Sequence, residues 1–70
     1  MITVNGNPSE RDGATIADLL ADLGVEDRAR GVAVAVNGEI VPRTEWPRRR
    51  VAAGDRVEAL SAMQGGQEHR

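Results

Sequence analysis

Hydrophobic positions in this chain follow two periods, and the switches between them mark its elements. From Met1 to Asn5 the pattern alternates, with Ile2 and Val4 on one side and Thr3 on the other. That is the signature of a half-buried strand. Asn5-Gly6-Asn7-Pro8 is a strong turn signal, and Ser9 to Arg11 is expected to return as a short second strand. Gly13 breaks the pattern, and the period then changes. Ile16, Leu19, Leu20 and Leu23 fall at the three-and-four spacing of one apolar helix face, which predicts a helix over Thr15 to Leu23. Thr15 can cap its free N–H groups, Asp18 stands three residues on as an acidic capping-box partner, and Gly24 supplies the stop. Ala21 and Asp22 are expected to face water.

After a polar loop from Val25 to Gly31, the alternation resumes. Val32-Ala33-Val34-Ala35-Val36 puts large residues on one face and small ones on the other, and is too β-branched and too short for a helix. It reads as an inner strand. Asn37-Gly38 is a hairpin turn from which Glu39-Ile40-Val41 returns, and Pro42 ends that strand. Arg43 to Trp46 can form one helical turn before Pro47. Arg48 to Val51 leads to a turn at Ala53-Gly54-Asp55. Arg56 to Leu60 is the last strand, with Val57 and Ala59 on one side and Glu58 and Leu60 on the other. The order β-β-α-β-β-β is an α+β pattern in which one helix covers one face of a sheet. The second face stays open. Ala33, Ala35 and Leu60 are expected on it, beside Glu58, as a flat, moderately apolar surface on which a partner could dock.

Size and composition narrow the function. Seventy residues make one domain with little room for a deep cleft, which counts against a self-contained enzyme. There is no cysteine, so disulfides, thiolate catalysis and Cys-ligated zinc are excluded. No apolar run approaches the roughly 20 residues needed to span a bilayer, and no leader precedes Ile2. The expectation is a soluble, cytoplasmic protein. Residues 1–27 carry one Arg and six acids and residues 28–70 eight Arg and five acids, so the halves are −5 and +3 within a net charge of −2. Such asymmetry can steer protein partners. A net-acidic chain without Phe or Tyr is poorly suited to nucleic acid.

Ala62-Met63-Gln64-Gly65-Gly66 follows the last strand, carries no charge and narrows to two residues without side chains. A glycine pair near the end of a chain can be an ordinary flexible tail. It can also enter a channel too narrow for any Cβ, as suits a protein whose working group is a backbone carboxylate presented to another enzyme.

Taken together, the hairpin Val32-Ala33-Val34-Ala35-Val36-Asn37-Gly38-Glu39-Ile40-Val41-Pro42-Arg43, then Trp46, then Gly54-Asp55-Arg56-Val57-Glu58, then Met63-Gln64-Gly65-Gly66, resembles the sulfur-carrier family of thiamine biosynthesis. The likeness runs from about residue 1 to 66. It implies a β-grasp (ubiquitin-like) fold: residues 1–61 as the domain, a mixed sheet of four to five strands with one main helix, and 62–66 as a Gly-Gly tail. It also implies a role. An E1-like adenylyltransferase would use ATP to adenylate the carboxylate of Gly66, and sulfur relayed from a cysteine desulfurase would leave a thiocarboxylate there. That sulfur would go to thiazole synthase. Gly65, Gln64 and Met63 would give the tail access, and the carrier itself would bind no cofactor and supply no catalytic group. Related carriers serve molybdopterin, cysteine or thiosugar biosynthesis, and a non-catalytic β-grasp binding module is the alternative from another class.

The chain departs from the family at its end. While Gly66 sits in a peptide bond to Gln67, no carboxylate exists there to be adenylated. Residues 67–70 are therefore expected to be removed by a peptidase, such as a zinc metalloprotease; loss of carrier function is the competing reading. Other features carry less. His69 lacks metal-binding companions. Trp46 is expected to plug one edge of the core. Arg48 to Arg50 reads as a solvated loop that could also meet an acidic partner surface. Asp12, Glu26 and Asp27 suggest no acid/base pair.

Overall fold

The computed structural model describes residues 1–25 and 31–61; the polar loop at 26–30 and everything from residue 62 on lie outside the described residues. Five strands form one sheet: β1 (Ile2–Val4), β2 (Asn7–Ser9), β3 (Val32–Val36), β4 (Glu39–Ile40) and β5 (Arg56–Ser61). Their order is β2-β1-β5-β3-β4, so the last strand in sequence lies in the middle. β1 runs parallel to β5 and the other pairings are antiparallel, which makes the sheet mixed.

The first turn is tighter than the sequence pattern suggests. Asn5 and Gly6 alone make it, both with positive φ (52° and 84°), and β2 begins at Asn7 instead of Ser9. Two residues in the left-handed region suit the right-handed twist of a hairpin. Pro8 is no obstacle there, because β2 is an edge strand. Asn37-Gly38 repeats the arrangement at the β3–β4 turn, with φ of 54° and 85°.

The helix, α1, spans Ile16–Asp22. Thr15 caps it: its hydroxyl accepts from the Asp18 N–H at 3.1 Å, and Thr15 N–H donates to the Asp18 carboxylate at 3.3 Å. This is the reciprocal box expected from the sequence. Ile16, Leu19 and Leu20 are buried. Leu23, which the helical spacing places with them, is the C-terminal cap and stays 47% exposed, because the helix ends one residue short of it.

α1 lies over one face of the sheet. Ile2, Val34, Val36 and Val57 meet it from the strands, and Val41, Trp46 and Val51 close the sides. Trp46 is the expected plug. It is buried, its indole N–H donates to Val41 C=O at 3.0 Å, and the Arg43 guanidinium stacks over its ring at 4.7 Å. A short 3₁₀ turn, Arg43–Glu45, delivers it. The chain then runs back along the start of α1, where Arg49 C=O accepts from Ile16 N–H and Trp46 C=O from Ala17 N–H.

Candidate functional site

Among the described residues, nothing covers the second face of the sheet, and most of its side chains stay exposed. Alternation sends Arg56, Glu58 and Leu60 of β5 away from the helix, and the β3–β5 register sets Ala35 beside Glu58 and Ala33 beside Leu60. β4 adds Ile40 opposite Ala35, and β1 adds Thr3 opposite Arg56. Ala33, Ala35, Glu58 and Leu60 thus share one surface, as the sequence predicts. Leu60 is 70% exposed and Ile40 69%, while Ala33 and Ala35 leave a flat floor between them. A sheet face meant only for water would carry polar residues at these positions.

The face is graded along β5. Arg56 lies at one end and Glu58 in the middle, and Leu60 stands next to the last residue of the strand, Ser61. The apolar end is therefore the end from which the chain proceeds toward Gly66. Met63, Gln64, Gly65 and Gly66 lie outside the described residues.

Sequence reasoning missed Ile40. A two-residue strand has no period of its own to read. Counting outward from the Asn37-Gly38 turn would have found it: a two-residue hairpin pairs Val36 with Glu39 and Ala35 with Ile40.

The groups at the foot of the sheet, around the start of β5, are structural. The Asn37 amide donates to Asp55 Oδ1 at 3.0 Å and accepts from Arg56 N–H at 2.9 Å, and Asp55 Oδ2 accepts from Ala52 N–H at 2.9 Å. The backbone bond from Ala52, with help from Asn37, holds the Asp55 carboxyl below the usual carboxylate range. Asp18 is held low by the Thr15 backbone N–H. Asp12, for which the sequence suggests no partner, binds the N-terminal ammonium at 2.8 Å and is lowered chiefly by that bond. None of these faces the open surface as an acid or base.

On the helix side, a shallow groove is lined by Val4, Asn7, Pro8, Ser9, Leu19, Asp22 and Leu23. Its one charge, Asp22, is paired with Arg11 at 2.7 Å. Among the described residues, no three His, Asp or Glu side chains gather where they could hold a metal ion, and no helix is long and apolar enough to cross a membrane.

This arrangement has counterparts. The sequence pattern of the ThiS family matches residues 2–66. The sulfur carrier protein ThiS of Thermus thermophilus is 41% identical over 66 residues, covering 94% of this chain and all of that protein. The Escherichia coli sulfur carrier protein ThiS is 37% identical over 54 residues, or 77% of this chain and 79% of that one. The crystal structure of a thiamine biosynthesis protein (ThiS) from Geobacter metallireducens superposes with a TM-score of 0.68 at 41% identity, covering 86% of this chain and 90% of that one. The five-stranded mixed sheet with one α-helix among the described residues is accordingly a β-grasp fold. By sequence match, relatives and fold, the chain belongs to the ThiS family.

Proposed function

We propose that this protein is a sulfur carrier of thiamine biosynthesis, a protein co-substrate that supplies no catalysis of its own. The observation that carries the reading is the apolar, uncovered sheet face that ends at Leu60, on the strand that leads five residues beyond Ser61 to Gly66. Membership in the ThiS family supports it, and the family match ends on Gly66.

The chemistry asks little of the carrier. Once residues 67–70 are removed, a carboxylate oxygen of Gly66 attacks the α-phosphorus of ATP in an E1-like adenylyltransferase, and pyrophosphate leaves. The terminal sulfur of a persulfide relayed from a cysteine desulfurase then attacks the acyl carbon and expels AMP. A second thiol cleaves the acyl disulfide so formed, leaving a thiocarboxylate on Gly66 and a disulfide on the relay. The resulting thiocarboxylate delivers sulfur to thiazole synthase. A free carboxylate is a poor electrophile and adenylation makes it a good one, with ATP bound by the partner throughout. The carrier contributes recognition: Ile40, Ala35, Ala33 and Leu60 dock, Glu58 sets orientation, and Gly65 lets the backbone pass where a Cβ would not. Docking by a pre-formed sheet face carries little ordering cost.

The test is intact mass spectrometry after incubation with the E1-like enzyme, ATP and a sulfur source. A chain ending at Gly66 gains one sulfur for one oxygen, and the chain ending at Arg70 does not. Loading of the full-length chain at Arg70 would remove the maturation step. Transfer to a molybdopterin, cysteine or thiosugar enzyme in preference to thiazole synthase would reassign the pathway but not the carrier chemistry.

A further inference from the structure

β5 outruns its parallel partner. β1 pairs with it only at Thr3–Arg56 and Val4–Val57, yet β5 continues to Ser61. Asn5 N–H still donates to Val57 C=O at 2.8 Å. In a regular parallel ladder the next rung would run from Ala59 N–H to the backbone carbonyl of Asn5. Asn5 instead turns into the left-handed region, φ 52°, to begin the hairpin. Its side chain supplies the rung: Ala59 N–H donates to Asn5 Oδ1 at 2.8 Å, across 54 positions of sequence. The donor being a backbone N–H, the acceptor must be the amide oxygen. The turn by itself would accept glycine at this position; the rung would not.

We infer that Asn5 is a positioning residue for the carrier tail, an inference that rests on the sulfur-carrier reading above. Ala59 is two residues from the end of β5 and seven from Gly66. On the β1 side, Asn5 is what holds the strand beyond Val57. With that rung in place, the last residues of β5 keep to the line of the sheet on the β1 side, while the pairing of Ala33 with Leu60 keeps the docking face. Without it, the end of the strand is held from the β3 side alone. Seven residues reach at most about 25 Å, so a small change of angle at Ala59 becomes ångströms at the reacting carboxylate. Misplacement on that scale is costly to a bound reaction. Every residue that frays must also be ordered again before Gly66 lies in the partner's channel.

Two variants test this in the chain matured to Gly66. Asn5→Gly keeps the turn, since glycine takes the positive φ without strain, and deletes the acceptor. Asn5→Asp keeps an oxygen at the same place. Amide hydrogen exchange is read at Ala59, and kcat and KM are read for adenylation by the E1-like enzyme. The expected result is fast exchange at Ala59 in Asn5→Gly, kcat lower by roughly tenfold and KM nearly unchanged, with Asn5→Asp close to wild type in both readouts. Wild-type protection of Ala59 in Asn5→Gly would overturn the rung. Loss of protection with an unchanged kcat would overturn the positioning role, as would an Asn5→Asp that restores protection but not kcat. If the wild-type chain is itself not adenylated while Ala59 is protected, the carrier reading fails and the role of Asn5 in it falls too.

Discussion

β3 and β5 each serve two surfaces at once. Toward the helix they present Val34, Val36 and Val57, each no more than 1% exposed, and away from it Ala33, Ala35, Glu58 and Leu60. On the covered side, bulk is matched to bulk from Ile16, Leu19 and Leu20, and the side chains stabilise the fold by leaving water. On the open side, among the described residues, Leu60 stands 70% exposed beside two small residues. The difference teaches where selection for folding stops. A face that bears Ala33, Ile40 and Leu60 largely exposed fits the docking role proposed above.

If that division holds, the two faces respond to mutation in opposite ways. The largest effect belongs to the covered side: Ile2→Ala should lower unfolding free energy by roughly 2–5 kcal/mol, read from urea denaturation. Partner affinity at low temperature should hardly move. Leu60→Asp should do the reverse. Its unfolding midpoint stays near wild type, because an exposed substitution typically costs within about 0.5 kcal/mol. Binding to the E1-like partner, measured by calorimetry, weakens by about 2 kcal/mol, roughly thirtyfold. Equal loss of both properties in either variant would erase the distinction. Thr15→Ala sharpens the comparison from the helix side, since it leaves both sheet faces intact. It should cost about 1 kcal/mol in unfolding, with Thr15→Ser recovering most of that.

The smallest effect is of pH. Asp12, Asp18 and Asp55 all have carboxyl groups held below their ordinary value, by the N-terminal ammonium, by Thr15 N–H and by Ala52 N–H respectively. A group lowered in the folded state binds its proton more readily when unfolded. Its contribution is thus complete above about pH 4 and is lost as pH falls through the lowered values. Stability should be flat from pH 5 to 7 as far as these groups are concerned, and decline below about pH 4. All three sit at turns, caps or the chain start, so docking through the open face should not follow that titration.

Much of this was legible in the sequence because it is local. The Val-Ala alternation of β3 states both of its faces, Asn37-Gly38 marks its turn, and Thr15 with Asp18 announces the helix start. What could not be read is what the fold brings together from afar. Thr3 meets Arg56 and Asn5 meets Ala59, and no period connects residues so distant in the chain. Asn5 and Asn37 look alike as turn residues. Only the sheet order shows that each also accepts from β5, toward opposite ends of it, at Ala59 and at Arg56. Leu23 misleads because helical spacing continues past the point where the helix stops. Of the proposed site, the Gly65-Gly66 pair and the alanine floor were legible as pattern, whereas Ile40 required the register.

The central place of β5 has a mechanical consequence. An enzyme that drew the tail into its channel, as proposed above, would pull on this strand along its axis, and β5 is flanked by β1 on one side and β3 on the other. The hydrogen bonds of both ladders stand across that pull. They are loaded together in shear, unlike the rungs of an edge strand peeled away one at a time. The strand that would hand over the tail in the proposed role is thus the one that can be tugged hardest before the sheet gives way.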